Sequence, residues 1–421
     1  MTRRPADGAR RPASPRDPYG LRPSGALVIP GLAVVGLLVV AWISLSLLSG
    51  NLPWKVSTKG SGAIVQPKTP TPSGEVRVPT PPPGEKLAGT LVYAKDGNIW
   101  IQDSTSARQL SSAPDGVSDS MPSFSADGQW ILYIETVTQV VTYTPPGGTP
   151  THYTATYPIL FKIHPDGSGR TKLTDGLFSN SRGTWFYWLR QPVMSPNGRT
   201  IALFSDGPNP DFINSQVVLE FFDVKSGKLT SAAAPALSPL GHQDAAWSPD
   251  GLTLLYVKNG RDGPRGAPQI MRFDWKTKKV KAVTGPGYNA PQFSPDGKYI
   301  VATKTSTIGT DVVILDARNG SEVARVTDDA RSWAGVWSPA GDAIAFLHID
   351  GGVTDLDMVK LTGTPGHWTI DKPIALTDSA GLDGASHPDW FIPADQLPPP
   401  TPTPTPAATP TPSGAATSSA P

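Results

Sequence analysis

The chain has 421 residues, no cysteine, 17% charged residues and a formal net charge of +1. Zero cysteine excludes disulfides, a thiol nucleophile and any Cys-ligated metal. So small a net charge leaves no electrostatic footprint for nucleic acid, which is not expected as a partner. The 47 prolines are densest at the two ends, 23 of them in residues 1–87 and 394–421 against 24 across the much longer middle, and mark flanks off from a folded middle.

Residues 1–25 carry Arg3, Arg4, Arg10, Arg11, Arg16 and Arg22 among Pro and Gly, a composition that cannot bury a core and reads as a disordered tail. From Ala26 to Leu48 the chain is almost wholly apolar, with no charge between Arg22 and Lys55. A run of that length, as a helix, spans a hydrocarbon core of roughly 30 Å. It exceeds the usual apolar core of a secretory signal, and no small-x-small cleavage site follows. Residues 26–49 are therefore expected to be an uncleaved single-pass anchor in the cell membrane. The arginines before it place the N-terminus in the cytoplasm and the remainder outside.

Residues 50–87 are a Pro/Thr-rich linker with the run Pro81-Pro82-Pro83, a composition that favours an extended, semi-rigid stalk. The folded part is expected over residues 88–393.

That middle is organised by a recurring stretch, Trp247-Ser248-Pro249-Asp250-Gly251. Its relatives are Phe124-Ser125-Ala126-Asp127-Gly128, Met194-Ser195-Pro196-Asn197-Gly198, Phe293-Ser294-Pro295-Asp296-Gly297 and Trp337-Ser338-Pro339-Ala340-Gly341. The Asp-Gly or Asn-Gly pair suits a tight hairpin. Pairs such as Ile131/Tyr133, Leu254/Tyr256 and Ile344/Phe346 follow at the two-residue spacing of a strand. Farther on, each copy reaches another strand and then a short one ending in apolar-Thr, as in Leu173-Thr174, Val283-Thr284, Val326-Thr327 and Leu376-Thr377. Each unit is thus four strands, and the glycine-to-glycine interval falls from 70 residues to 44, close to one propeller blade per repeat.

The two ends complete the count. Leu91–Tyr93, Asn98–Asp103 and Arg108–Ser111 read as a blade lacking its first strand, and His387–Phe391 as a first strand lacking the rest. Joining them closes a ring without an open edge. The expectation is an all-β six-bladed propeller.

The first interval is about 20 residues longer than a blade needs. Residues 135–156, alternating around Pro145-Pro146-Gly147-Gly148, read as a hairpin protruding from the second blade. The run Trp185-Phe186-Tyr187-Trp188 between blades two and three fits either an inter-blade plug or a partly exposed platform. Residues 394–421, rich in Thr-Pro, read as a disordered tail. Solvation, attachment to a cell-wall polymer and O-glycosylation all fit it.

On the Trp247–Gly251 motif and its four relatives, residues 88–393 resemble the TolB-type β-propeller family. That resemblance implies the propeller fold and the family's habit of binding partner proteins. Related propellers also precede the catalytic domain of prolyl-oligopeptidase-like peptidases, but only 28 residues follow Pro393 and no Gly-x-Ser-x-Gly elbow occurs.

Candidate site residues come from the positions just before each innermost strand, which surround one mouth of a propeller's channel. They are Ser118 and Asp119, Arg190, His242 and Asp244, Tyr288 and Asn289, Arg331 and Trp333, and His387 and Asp389. Of these, His242, Asp244, Tyr288, Arg331, Trp333, His387 and Asp389 are the binding candidates. The two His-x-Asp pairs could ligate a metal, but they stand at different offsets from Trp247 and Trp390, and solvation of the rim explains them as well. No catalytic set, metal site or cofactor is expected. The favoured function is a non-catalytic protein- or ligand-binding or scaffolding module of the cell envelope, with an envelope protein or glycan as partner. The alternative is an envelope enzyme, a glycan lyase or hydrolase using polar residues at the channel mouth.

Overall fold

In the computed structural model the described residues are 76–77 and 86–397, apart from 145–146, 181–182, 208–216, 233–240 and 261–266. The expected anchor at 26–49, the tail at 1–25, residues 398–421 of the C-terminal tail and most of the 50–87 linker lie outside them. Among the described residues no helix is long and apolar enough to cross a membrane.

The repeated turns share one construction. The amide of each closing glycine donates to the Ser carbonyl at 2.8 Å, with the glycine at φ between 66° and 77°. The Ser hydroxyl donates to the Asp or Asn oxygen two residues on, at 2.6–2.9 Å. That same oxygen accepts the amide following the glycine, so one side chain satisfies the tip. In the fifth turn Ala340 cannot do this, and Ser338 Oγ donates instead to Asp342 Oδ1 at 2.8 Å.

Six antiparallel sheets result. Blades two to six have as innermost strands Val117–Phe124, Arg190–Met194, His242–Trp247, Tyr288–Phe293 and Ser332–Trp337. Blade one takes its innermost strand from the far end of the chain: Asp389–Phe391 pairs with Thr90–Lys95, Leu91 opposite Trp390. The strand is shorter than His387–Phe391, since Pro388 has no N–H to give a ladder. Blade one also carries a strand that the linker reading missed. Val76–Arg77 pairs with Ala107 and Ser106 on its outer edge.

The second strand of each blade is nearly continuous apolar sequence. Leu91–Ala94, Ile131–Ile134, Ile201–Phe204, Leu254–Val257, Ile300–Ala302 and Ile344–Leu347 are all at most 2% exposed. Both faces are covered because every sheet is sandwiched between two others, so alternation disappears from these strands. The six apolar clusters each span one pair of adjacent blades. One of them joins Leu91, Tyr93 and Trp390 to Ala334, Val336 and Leu347, which closes the ring hydrophobically between blades six and one. The apolar-Thr signature has a plain purpose. Thr284, Thr327 and Thr377 hydroxyls each accept a third-strand amide, at 2.9–3.2 Å.

The extra length of blade two is the expected hairpin. Ile131–Tyr143 and Thr151–Ile163 pair along their whole length, and Val140 near its outer end is 68% exposed. The aromatic run divides between its two readings. Tyr187 is buried with its hydroxyl on the Asp175 carbonyl, whereas Trp188 is 43% exposed and edge-on to Phe186.

Candidate functional site

Each innermost strand of blades two to six carries a β-bulge seven residues before its turn glycine. The residues there, Met121, Gln191, Asp244, Ala290 and Ala334, all hold φ between 47° and 58°. A left-handed non-glycine costs of order 1 kcal/mol or more and persists only where surroundings fix it. Here a belt of hydrogen bonds around the channel fixes it. The Gln191 amide points at Met121 Sδ (3.3 Å), the Asp244 amide at Gln191 Oε1 (3.1 Å) and the Ala290 amide at Asp244 Oδ2 (3.0 Å). Ala290 has no acceptor to continue the belt, and the Ala334 amide turns to Thr303 Oγ1 at 2.9 Å. The Met121 amide is taken by Ser386 Oγ of blade one at 3.0 Å.

By register, with Leu91 opposite Trp390, His387 occupies the bulge level of blade one. Its Nε2 lies 3.8 Å from Asp244 Oδ1 on the opposite blade. The side chains at this level floor a cavity of about 860 Å³ that extends through the ring to the Ser-Pro-Asp-Gly turns. Prolines make two tiers of its wall, Pro122, Pro192, Pro291 and Pro388 deep, and Pro196, Pro249, Pro295 and Pro339 at the rim. The rim is tightly fitted. Pro196, Pro249 and Pro295 each pack toward the turn glycine of the next blade.

Asp389 stands between the two tiers. Its Oδ2 accepts the Phe124 amide at 2.7 Å and its Oδ1 the Trp390 amide at 2.9 Å. Enclosure by protein pushes its carboxyl up to about 6, against the pull of those two amides. Its counterpart in blade five is neutral, Gln292, which accepts the Trp337 amide at 2.6 Å.

Of the binding candidates, the structure brings Asp244, His387 and Asp389 together along the cavity. The other four stand toward the opposite face. His242 is 3% exposed, its Nδ1 accepting the Leu219 amide at 3.2 Å and its Nε2 unpartnered. Burial and Lys258 push its imidazole down to about 4, so it is a neutral lock between blades three and four. Tyr288 packs beside the blade four–five core. Arg331 is exposed and pairs with Asp350 at 3.0 Å. The Trp333 indole donates to the Gly384 carbonyl at 3.0 Å.

Asp119 is also on that face, 2% exposed, with Oδ1 unpartnered. Burial raises its carboxyl to about 7, helped by Glu135 and opposed by Ser111 and Arg170. Among the described residues no group of three or more His, Asp or Glu is arranged to hold a metal ion.

What the sequence reading missed is the bulge belt and the end of the channel where the cavity lies. The signal was present in phase. Proline recurs six residues before the turn glycine in blades two, three and five, immediately after the bulge position.

Neither a family model nor a curated protein sequence matches the chain. Solved structures do. TolB from Acinetobacter baumannii superposes with a TM-score of 0.50 at 18% identity, over 72% of this chain and 66% of that one. The propeller is TolB-like in fold. A TolB from Agrobacterium tumefaciens gives 0.48 at 16% identity, over 73% and 99%. An oligogalacturonate lyase in complex with manganese gives 0.43 at 17% identity, over 66% and 76%. The chain spans about two-thirds of the length of the Acinetobacter TolB-like relative, and at these identities the likeness concerns the fold.

Proposed function

We propose that this protein is a non-catalytic binding module of the cell envelope, tethered through residues 26–49, whose TolB-like propeller receives a segment of a partner protein in the cavity at its Ser-Pro-Asp-Gly face. The observation that carries this reading is the cavity itself. It is a half-open recess, floored at the bulge level, walled by two tiers of proline, and of the size that recognition sites have. The polar groups along it are occupied in holding the ring. Asp244 and Asp389 accept neighbouring amides, and the turn serines are tied to Asp127, Asn197, Asp250 and Asp296. Rigid turns around a preorganised cavity suit capture of an extended segment.

A glycan-cleaving enzyme is less well served. Among the described residues no nucleophile-base pair or Arg-containing pocket lines the cavity, and an acidic glycan would meet the carboxylates of Asp127, Asp244 and Asp389 with no described Lys or Arg to receive it.

The test is capture from envelope extract by the full chain and by the double variant Ala126→Trp/Pro249→Trp, which crowds the exposed rim. A partner lost in the rim variant supports the reading, and partners retained in full oppose it. Topology is tested separately. Protease added to intact spheroplasts should remove the propeller, and complete protection would refute the outward orientation.

A further inference from the structure

The charge on the cavity wall is one-sided. Among the described residues three carboxylates line it, from Asp127, Asp244 and Asp389, while no Lys or Arg does, and His387 is the one basic side chain. Asp244, 7% exposed, is held by the Gln191 side-chain amide at 2.6 Å and the Ala290 backbone amide at 3.0 Å. Asp389 is held by two further backbone amides. These donors are neutral. They fix where the carboxylates stand but do not cancel their charge, and each carboxylate keeps lone pairs beyond the ones so used.

An enclosed carboxylate is costly unless a cation or a full set of donors meets it. The wall between rim and carboxylates is proline, Pro122, Pro192, Pro249, Pro291 and Pro295, while the rings of Phe293, Trp337 and Trp390 pack outward into the inter-blade cores. Apolar walls with negative charge deep inside match a long apolar stem carrying a cationic head, the shape of a lysine or arginine side chain.

Resting on the reading of the cavity as a protein-docking site, we propose that its occupant is a lysine or arginine side chain of the partner. The aliphatic stem lies along the proline wall and the cationic head meets Asp244 and Asp389. Charge complementarity selects this occupant over an acidic or uncharged segment, because only a cation returns what the enclosed carboxylates lose on leaving water.

The test is selection of random dodecapeptides displayed on phage against the full chain, with the Ala126→Trp/Pro249→Trp variant as counter-selection. Clones that bind the parent and not the rim variant should share a Lys or Arg. In the synthetic consensus peptide, replacing that residue by norleucine, which keeps the stem and removes the charge, should weaken binding at least tenfold. The Asp244→Asn and Asp389→Asn variants should lose the preference for lysine over norleucine while still melting cooperatively. The norleucine comparison stands even if those variants fold poorly.

Rim-sensitive peptides that lack a basic residue, or norleucine binding equal to lysine, would overturn the inference and leave the docking site standing. Failure to recover any rim-sensitive peptide would remove both. Calorimetry with calcium chloride is the third arm. Calcium uptake abolished by Asp244→Asn, with peptide affinity unchanged, would reassign the carboxylates to a metal ion and overturn the inference.

Discussion

His387 and Asp244 face one another across the channel from opposite blades, Nε2 to Oδ1 at 3.8 Å. One comes from the strand that closes the ring and the other from the middle of the chain. Both stand at the bulge level of their blades, so the floor of the cavity exists only once the ring has closed.

Asp244 holds that floor through two donors, the Gln191 side-chain amide and the Ala290 backbone amide. Asp244→Ala leaves the buried Ala290 amide unpaired and frees the half-buried Gln191 amide, and is expected to cost roughly 1–3 kcal/mol in urea denaturation. Asp244→Asn retains an acceptor and should recover about half of that. Equal stability of parent and alanine variant would remove the belt as a structural device.

Ring closure is tested by a pair of glycines with the same backbone. Gly128 (φ 66°) and Gly198 (φ 71°) close equivalent turns, but a Cβ on Gly128 would lie 2.2 Å from the Phe391 ring, and one on Gly198 meets nothing within 4 Å. Gly198→Ala should cost about 1–2 kcal/mol for the left-handed backbone alone. Gly128→Ala should cost a further 1–3 kcal/mol or so for displacing Phe391. Equal costs would contradict the seating of the C-terminal strand on blade two.

The dependence of stability on pH follows from Asp389, raised to about 6, and from three further buried groups. Asp119 and Glu220 are each raised to about 7, chiefly by burial, and His242 is lowered to about 4 by burial. A carboxyl raised on folding binds protons more tightly in the native state, so stability falls as pH rises from about 4 to 7. An imidazole lowered on folding acts oppositely, and stability is lost as pH falls from about 6.5 to 4. Between about pH 4.5 and 6.5 the carboxyls outnumber the imidazole, so their loss prevails and the melting temperature should decline as pH rises from about 5 to 7. Asp119→Asn should raise stability at pH 8 by roughly 1–3 kcal/mol and change it little at pH 5. A destabilised Asp119→Asn at pH 8 would show that the charge is compensated.

The parts of this fold that local chemistry determines were legible in the sequence. Ser248, Asp250 and Gly251 build a turn from their own atoms, and five such turns in phase set the blade count. The composite blade followed from Leu91–Ser111 lacking an inner strand. The site was harder to read because it depends on packing between blades. His242 and Asp244 are two residues apart and would share a face in a regular strand. The left-handed turn at Asp244, φ 58°, breaks that alternation, so His242 enters the blade three–four interface while Asp244 enters the channel. The side chains of Gln191, Asp244 and His387 place the cavity's floor at one end of the channel, a tertiary outcome that no single repeat encodes.

The central claim is that the Ser-Pro-Asp-Gly face carries the docking site, and photo-cross-linking in cells tests it most directly. Benzoylphenylalanine would be placed at Ala126 on the cavity rim, at Arg331 on the opposite face and at Val140 on the protruding hairpin, all exposed positions. The account predicts a discrete cross-linked partner from Ala126 and none from Arg331 or Val140. A partner captured from Arg331 or Val140 and absent from Ala126 would contradict it and move the site to the other mouth or to the hairpin.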